Sequence, residues 1–372
     1  MTKQISNTIL ICIPSYTFGG AEIHSLYTAK AIKHCTDYTV YFLAFGRNDE
    51  FRKKLENEGF QTLHFPLNDF LNLSYSQKAV QLIKLIHFLN PYRFKYIFSG
   101  TEQCNLLMAL VWKALGVKKY FWHQWGIDTR KNTGFFEKFA VRTQPIYIAN
   151  SLACKENIIR RHSIKNTASV KIIHNTFNED LLQVHHDFNS TDFNLIMVAN
   201  FFEEKDPATV LKALKLFVTK YPEAIIKLYF VGRDNGSNIY LKSKALAFDL
   251  GLQDYVLFSG NVSDIAGMLS IMQVGILSTK SEGLSNALLE YMAAGLPVIA
   301  TDISQNKEAL GEHNIEWLFG VGEEQKCFQL IEKLYLNKTL LSELGKRNRD
   351  FVIANFSNTI YEKKIKELIT EA

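Results

Sequence analysis

Asn194-Leu195-Ile196-Met197-Val198-Ala199, then Asp206-Pro207, then Ile225 to Val231: the reading of these stretches decides the fold. The first is an apolar run too short for a helix and without alternation, as in a strand buried on both faces. Asp206 can cap a helix and Pro207 needs no N–H at the first helical position, so the spacing predicts a helix over 207–219. Ile225 to Val231 is a second buried strand. Working outward, the same unit recurs as a helix over 239–250, a strand over 256–258, a helix from Asp264, a strand over 274–277, a helix over 284–294 and a strand over 297–301. Strands separated by amphipathic helices predict a parallel sheet with crossover connections.

The first half repeats the pattern less cleanly, with strands near 9–13, 39–44, 96–99, 119–122 and 146–149. The expected fold class is α/β, with two doubly wound, Rossmann-like domains. Residues 183–191 are polar and follow neither period, which separates a first domain over 1–186 from a second over 187–356. A basic amphipathic helix over 357–372 ends the chain. The 372 residues are enough for two hydrophobic cores.

With 47% hydrophobic and 21% charged residues the chain reads as globular, neither disordered nor polytopic. The best candidate span, Leu106 to Val117, falls short of the ~18 apolar residues that cross a bilayer and contains Lys113. The N-terminal apolar run reads as a strand and not as a leader, so a cytoplasmic protein is expected. Five scattered cysteines without a Cys-x-x-Cys pair predict free thiols and no metal site. Charge is uneven: residues 1–186 carry +10 and the remainder −5. A basic half predicts an anionic partner such as a phosphorylated substrate or an anionic membrane surface. The basic stretches Arg47 to Lys54 and Phe88 to Lys95 are the candidates for lipid contact.

Doubly wound sheets bind ligands at strand-to-helix turns, and two such turns stand out. In Pro14-Ser15-Tyr16-Thr17-Phe18-Gly19-Gly20-Ala21-Glu22, adjacent glycines open a helix and expose N–H groups to an anion. Neither a Walker loop nor a dinucleotide fingerprint is present. In Ser281-Glu282-Gly283-Leu284-Ser285-Asn286, a carboxylate ends a strand just before a helix whose first N–H groups are expected to be those of Gly283, Leu284 and Ser285. Glu290 lies two turns deeper.

Glu282-x7-Glu290 followed by Met292-Ala293-Ala294-Gly295-Leu296-Pro297-Val298-Ile299 resembles the signature of retaining glycosyltransferases of the GT-B fold, family 4, the glycosyl transferases group 1. Gly19-Gly20-Ala21-Glu22, the run Val198 to Asp206, Val231-Gly232-Arg233 and Phe258-Ser259-Gly260-Asn261-Val262 resemble further motifs of that family, in the same order. The resemblance implies two domains facing across a cleft, the last helix crossing back onto the first. It implies a hexosyltransferase moving a sugar from a nucleotide-diphosphate sugar, UDP favoured over GDP, to a glycan or lipid-linked glycan in bacterial surface polysaccharide assembly.

Carried over, it makes Glu282, His123 and Lys205 the catalytic residues: Glu282 on donor-sugar hydroxyls, His123 facing the sugar, and Lys205 on the diphosphate. Gly19, Gly20, Asn200, Arg233, Asn261, Gly283, Leu284, Ser285 and Glu290 complete the donor site, Glu290 on the ribose. The family usually has arginine where Asn200 stands, and Arg233 is the candidate to replace it. Glu308 matches a family glutamate, but the glycine pair before it is absent. No metal and no other cofactor is expected, since helix ends and lysine take the place of a cation. Nucleic acid is not an expected partner. A non-catalytic nucleotide-sugar-binding subunit fits a chain that departs from the pattern in this way; a sugar-nucleotide epimerase of similar fold is a further alternative, against which the run Met292 to Pro297 argues.

Overall fold

Residues 7–370, apart from 18, 47–49, 68–69, 129–133 and 235, are described by a computed structural model of the protein. The chain divides into two units, Met1–Asn175 with Asn358–Ala372, and Thr176–Ser357.

The first unit runs β1 (Thr8–Ile13), α1 (Gly20–Cys35), β2 (Thr39–Ala44), α2 (Glu50–Asn57), β3 (Gln61–His64), α3 (Tyr75–Leu89), β4 (Tyr96–Ser99), α4 (Glu102–Val111), β5 (Lys119–Gln124), α5 (Phe135–Arg142), β6 (Ile146–Ala149), α6 (Leu152–His162) and β7 (Val170–Ile172). Its seven strands are all parallel, in the order β3-β2-β1-β4-β5-β6-β7. The order reverses between β1 and β4, which opens a crevice at their carboxyl ends.

The second unit runs β8 (Phe193–Val198), α7 (Pro207–Lys220), β9 (Ile226–Val231), α8 (Asn238–Asp249), β10 (Val256–Gly260), α9 (Ile265–Ser270), β11 (Val274–Leu277), α10 (Asn286–Ala294), β12 (Val298–Thr301), α11 (Ser304–Leu310), β13 (Leu318–Phe319), α12 (Glu324–Tyr335) and α13 (Lys338–Phe356). This sheet is also parallel, ordered β10-β9-β8-β11-β12-β13, and its switch point lies between β8 and β11. Gly275 on β11 is fixed by packing: a Cβ there would stand 2.3 Å from the Tyr291 ring on α10. That close approach lets the Tyr291 hydroxyl accept the Val198 N–H at the end of β8.

The units divide at Asn175/Thr176 and not near residue 186. The polar stretch is no linker, because Phe177 and Leu181 just before it and Val184 within it are buried in the second unit's core beside Leu288 and Met292. The last helix, α14 (Asn358–Thr370), belongs to the first unit, where Tyr361, Ile365, Leu368 and Ile369 enter its core. The five cysteines all remain thiols. Among the described residues no helix is long and apolar enough to cross a membrane, and no group of three or more His, Cys, Asp or Glu could hold a metal ion.

Candidate active site

At the second unit's switch point, the loop after β8 and the loop after β11 are laced together. Lys205 and Thr279 form an antiparallel bridge, the Asp206 N–H donates to the Ser278 carbonyl at 3.0 Å, and the Lys280 N–H donates to the Glu204 carbonyl at 2.7 Å. Asp206 caps α7 as its sequence suggests, accepting from the Thr209 N–H at 3.4 Å, and also accepts from the Ser278 hydroxyl at 3.2 Å. The result brings the Lys205 ammonium against the Glu282 carboxylate in an ion pair whose side chains are each 15% exposed. A cation and a carboxylate are thus held side by side where a doubly wound sheet binds ligands.

Helix α10 starts at Asn286, two residues later than expected, so Gly283, Leu284 and Ser285 form the turn before it and not its first turn. Leu284 is apolar and buried, and folding it under the turn delays the helix. Ser285 occupies the cap position without a capping side-chain bond. Seven of the nine residues of α10 are buried, and the remaining two, Asn286 and Glu290, share one face by their i, i+4 spacing. Glu290 keeps only partial solvent access, and burial pushes its carboxyl up to about 7. Among the described residues no neighbouring cation offsets that burial. A carboxylate kept this way has unmet capacity for hydroxyl donors.

Asn200 is already engaged. Its Oδ1 accepts the Arg233 N–H at 3.1 Å, tying the end of β8 to the turn after β9. Gly232 completes that contact, since a Cβ at its φ of 151° would lie 2.0 Å from the Ala199 carbonyl oxygen. The Arg233 side chain is half-buried, with no ion-pair partner among the described residues. Asn261 is exposed just after β10, whose last residue Gly260 accepts the Gly232 N–H at 2.8 Å. Glu308 lies half-buried on α11.

In the first unit, His123 ends up in the wall of a cavity of about 350 Å³ lined also by Ala21, Thr101, Asn105, Trp125 and Asp128. Its ring is 3% exposed and stacks on Trp125 at 3.6 Å between centroids, with His24 stacked on the same indole at 5.1 Å. Burial first, and the nearby His24 second, hold the His123 imidazole well below its usual pKa, so it is neutral. His123 Nε2, Trp125 Nε1 and Thr101 Oγ1 are buried without a hydrogen-bond partner among the described residues. All three atoms belong to residues that line this one cavity. Sequence reading missed Thr101, Asn105 and the role of Trp125, because an orphaned polar atom has no sequence signature.

The glycine loop differs from its expectation. Gly19 is the extended cap of α1 and Gly20 its first residue, but the buried Glu22 carboxylate lies over Gly19, 2.4 Å from where a Cβ would be. An acid at that helix start opposes a phosphate there. Phe18 of the same loop lies outside the described residues.

Comparison with known proteins bears on both units. Residues 178–351 match the family model described as Glycosyl transferases group 1. EpsD of Bacillus subtilis is 31% identical over 168 residues, 45% of this chain and 43% of that protein. The chain thus spans less than half the length of that relative. The capsular polysaccharide biosynthesis glycosyltransferase CapM of Staphylococcus aureus is 23% identical over 318 residues, 81% of this chain and 82% of that protein. The crystal structure of Anabaena HepE in complex with UDP and glucose superposes with a TM-score of 0.83 at 19% identity, over 98% of this chain and 100% of that one. Residues 178–351 therefore carry the likeness to glycosyl transferases group 1, and the chain as a whole has the GT-B glycosyltransferase fold.

Proposed function

We propose that the protein is a retaining glycosyltransferase of family 4 that takes a hexose from a nucleotide-diphosphate sugar, UDP before GDP, and passes it to a glycan or lipid-linked glycan in surface polysaccharide assembly. The observation that carries this reading is the Lys205–Glu282 pair at the β8/β11 switch point, beside the start of α10 and the desolvated Glu290. The UDP and glucose held by HepE and the capsular role of CapM support the choice of donor and pathway class.

The chemistry follows from charge. Breaking the bond from the anomeric carbon to the diphosphate leaves an oxocarbenium-like sugar and gathers negative charge on the leaving phosphate. Lys205, Arg233 and the first turn of α10 supply positive potential there, which makes a metal ion unnecessary in this reading. Glu282 accepts sugar hydroxyls once the diphosphate draws Lys205 away, and Glu290 accepts from the ribose. The acceptor oxygen bonds to the anomeric carbon on the face from which the diphosphate departs, and its proton passes to a departing phosphate oxygen. His123, neutral, meets hydroxyl groups and moves no proton.

The test is incubation of the full chain with UDP-hexoses, with and without glycan acceptors, in the presence of EDTA. Acceptor-dependent UDP release with the anomeric configuration kept is expected. Binding without turnover would make the chain a nucleotide-sugar-binding subunit, and UDP release or an altered sugar without an acceptor would make it an epimerase or hydrolase.

A further inference from the structure

The polar stretch 183–191, which marks no domain boundary, builds part of the wall of another cavity. This one, about 180 Å³ in volume, lies at the C-terminal end of α10, and its side chains include His185, His186, Ser342, Lys346 and Arg349. All belong to the second unit. Ser342, Lys346 and Arg349 recur at i, i+4 and i+7 on α13, so they share one side of that helix. A Cβ at Gly345, on the same side, would stand 2.1 Å from the Gly295 carbonyl oxygen, and glycine there lets α13 close on the end of α10.

The last carbonyls of a helix repel an anion unless donors cover them. Here they are covered. Arg349 donates Nε–H to the Ala293 carbonyl at 3.1 Å and its two Nη2–H groups to those of Ala294 and Val184. His186 donates Nε2–H to the Ala294 carbonyl at 2.7 Å, and Asn348 donates to that of Leu296 at 2.9 Å. Three of the five guanidinium N–H groups are used in this way, and the two on Nη1 have no protein partner among the described residues. Carbonyls are neutral, so they leave the Arg349 charge uncancelled. Lys346, exposed, has no ion-pair partner among the described residues, and the lining contains no carboxylate. Asp187, beside His186 in sequence, accepts the Asn189 N–H at 3.0 Å, and Asp350 lies outside the lining.

We infer that this cavity binds a phosphate group, held by Arg349 Nη1 and the Lys346 ammonium with the Ser342 hydroxyl beside them. A guanidinium and an ammonium without a carboxylate are the donors that recognise a tetrahedral oxyanion. Such an anion takes the volume of about two or three waters, roughly 60–90 Å³, so the cavity has room for one phosphate group and a little water. The site is separate from the candidate active site. The Lys205–Glu282 pair lies beside the start of α10 and this cavity at its end, nine residues and about 13 Å further along the helix. Two anions can therefore be bound at once.

The inference is independent of the transferase reading and is tested by calorimetric titration of the full chain with sulfate, whose charge is constant across the working pH range, at ionic strength held constant with chloride. One site with a Kd of roughly 0.1–10 mM is expected, as for two charge-assisted contacts. Saturating UDP should leave it in place, and so should Lys205→Ala. Lys346→Gln should weaken sulfate binding roughly fivefold to tenfold, and Ser342→Asp, which brings a carboxylate to the cavity, by roughly tenfold or more. Both positions are exposed, so the melting temperature without sulfate and the binding of UDP should not move in either variant. Inorganic phosphate and glycerol 3-phosphate should bind the same site, and the tighter of the two separates free phosphate from a phosphate monoester as its ligand. No saturable sulfate binding, a site that UDP displaces or Lys205→Ala removes, or unaltered sulfate affinity in both cavity variants would overturn the inference.

Discussion

The Lys205 ammonium and the Glu282 carboxylate neutralise one another across two loops that are separate in sequence but adjacent at the β8/β11 switch point. In the proposed reading a bound diphosphate competes with Glu282 for Lys205, so the two residues should affect binding in opposite directions. Lys205→Ala should lower turnover ~10–100-fold, the loss of a charge-assisted contact of about 1.5–3 kcal/mol. Glu282→Ala should leave UDP affinity unchanged or raised while sugar transfer falls, because the lysine is freed but the sugar loses its acceptor. Calorimetric UDP binding and initial rates on both variants check this. Equal loss of UDP affinity in the two would refute the competition.

Glu290 sets a pH dependence. Its folded pKa, pushed up to about 7, exceeds the unfolded value of 4.5, so the folded state holds one proton more between those values. Stability should therefore fall as pH rises from about 4.5 to about 7 and level off above. Glu290→Gln should abolish that slope and be more stable than the parent at pH 8 by about 1–3 kcal/mol. In the proposed reading ribose hydroxyls donate to the ionised carboxylate, and UDP affinity in the parent should then rise through pH 7, by roughly tenfold between pH 6 and 8. Glu290→Ala should raise the KM for the sugar nucleotide more than it lowers kcat, because ribose contacts persist from ground to transition state. Binding that is flat with pH would remove Glu290 from the nucleotide.

Asn200 offers a different kind of test, since its side chain holds a turn. Asn200→Asp keeps the acceptor for the Arg233 N–H but adds a negative charge. UDP binding should weaken roughly tenfold, with little change in melting temperature. Asn200→Ala orphans that N–H and should cost about 1 kcal/mol of stability. Asn200→Arg, although it restores the residue usual in the resembling family, should bring no gain in rate because it breaks the same turn. A faster Asn200→Arg enzyme would show that the turn is dispensable.

Buried strands in the interior of a sheet and capped helices were legible because each carries its own signal. The strands 39–44, 96–99, 146–149 and 274–277 stand where the apolar runs put them, and α7 starts at Pro207. Short strands such as β3, β7 and β13 were not legible, since two to four residues at or near a sheet edge are defined by the neighbour that pairs with them. At the candidate site, the residue types Lys205, Glu282 and Glu290 were readable, but not the lacing that pairs the first two, nor the desolvation of the third. The glycine loop shows the same limit: Glu22 is in the motif, yet only the folded turn lays its carboxylate over Gly19.

The end of the chain should decide whether the first unit folds. Helix α14 packs on α1, burying Tyr361, Ile365, Leu368 and Ile369, and the Tyr361 hydroxyl bonds Thr28 Oγ1 at 2.7 Å. Four such side chains contribute roughly 6–12 kcal/mol before ordering costs, comparable with the whole stability of a domain. A chain ending at Ser357 should therefore lose the first unit's calorimetric transition while keeping that of Thr176–Ser357, and a fragment of residues 1–186, which lacks α14, should not fold alone. Ile365→Ala should cost about 2–5 kcal/mol, confined to the first unit's transition. Tyr361→Phe should cost only about 0.5–1.5 kcal/mol, since the Thr28 hydroxyl still donates to the His24 carbonyl at 2.9 Å. If the shortened chain keeps both transitions and resists protease across residues 7–175, then α14 is an appendage and not part of the first unit's core.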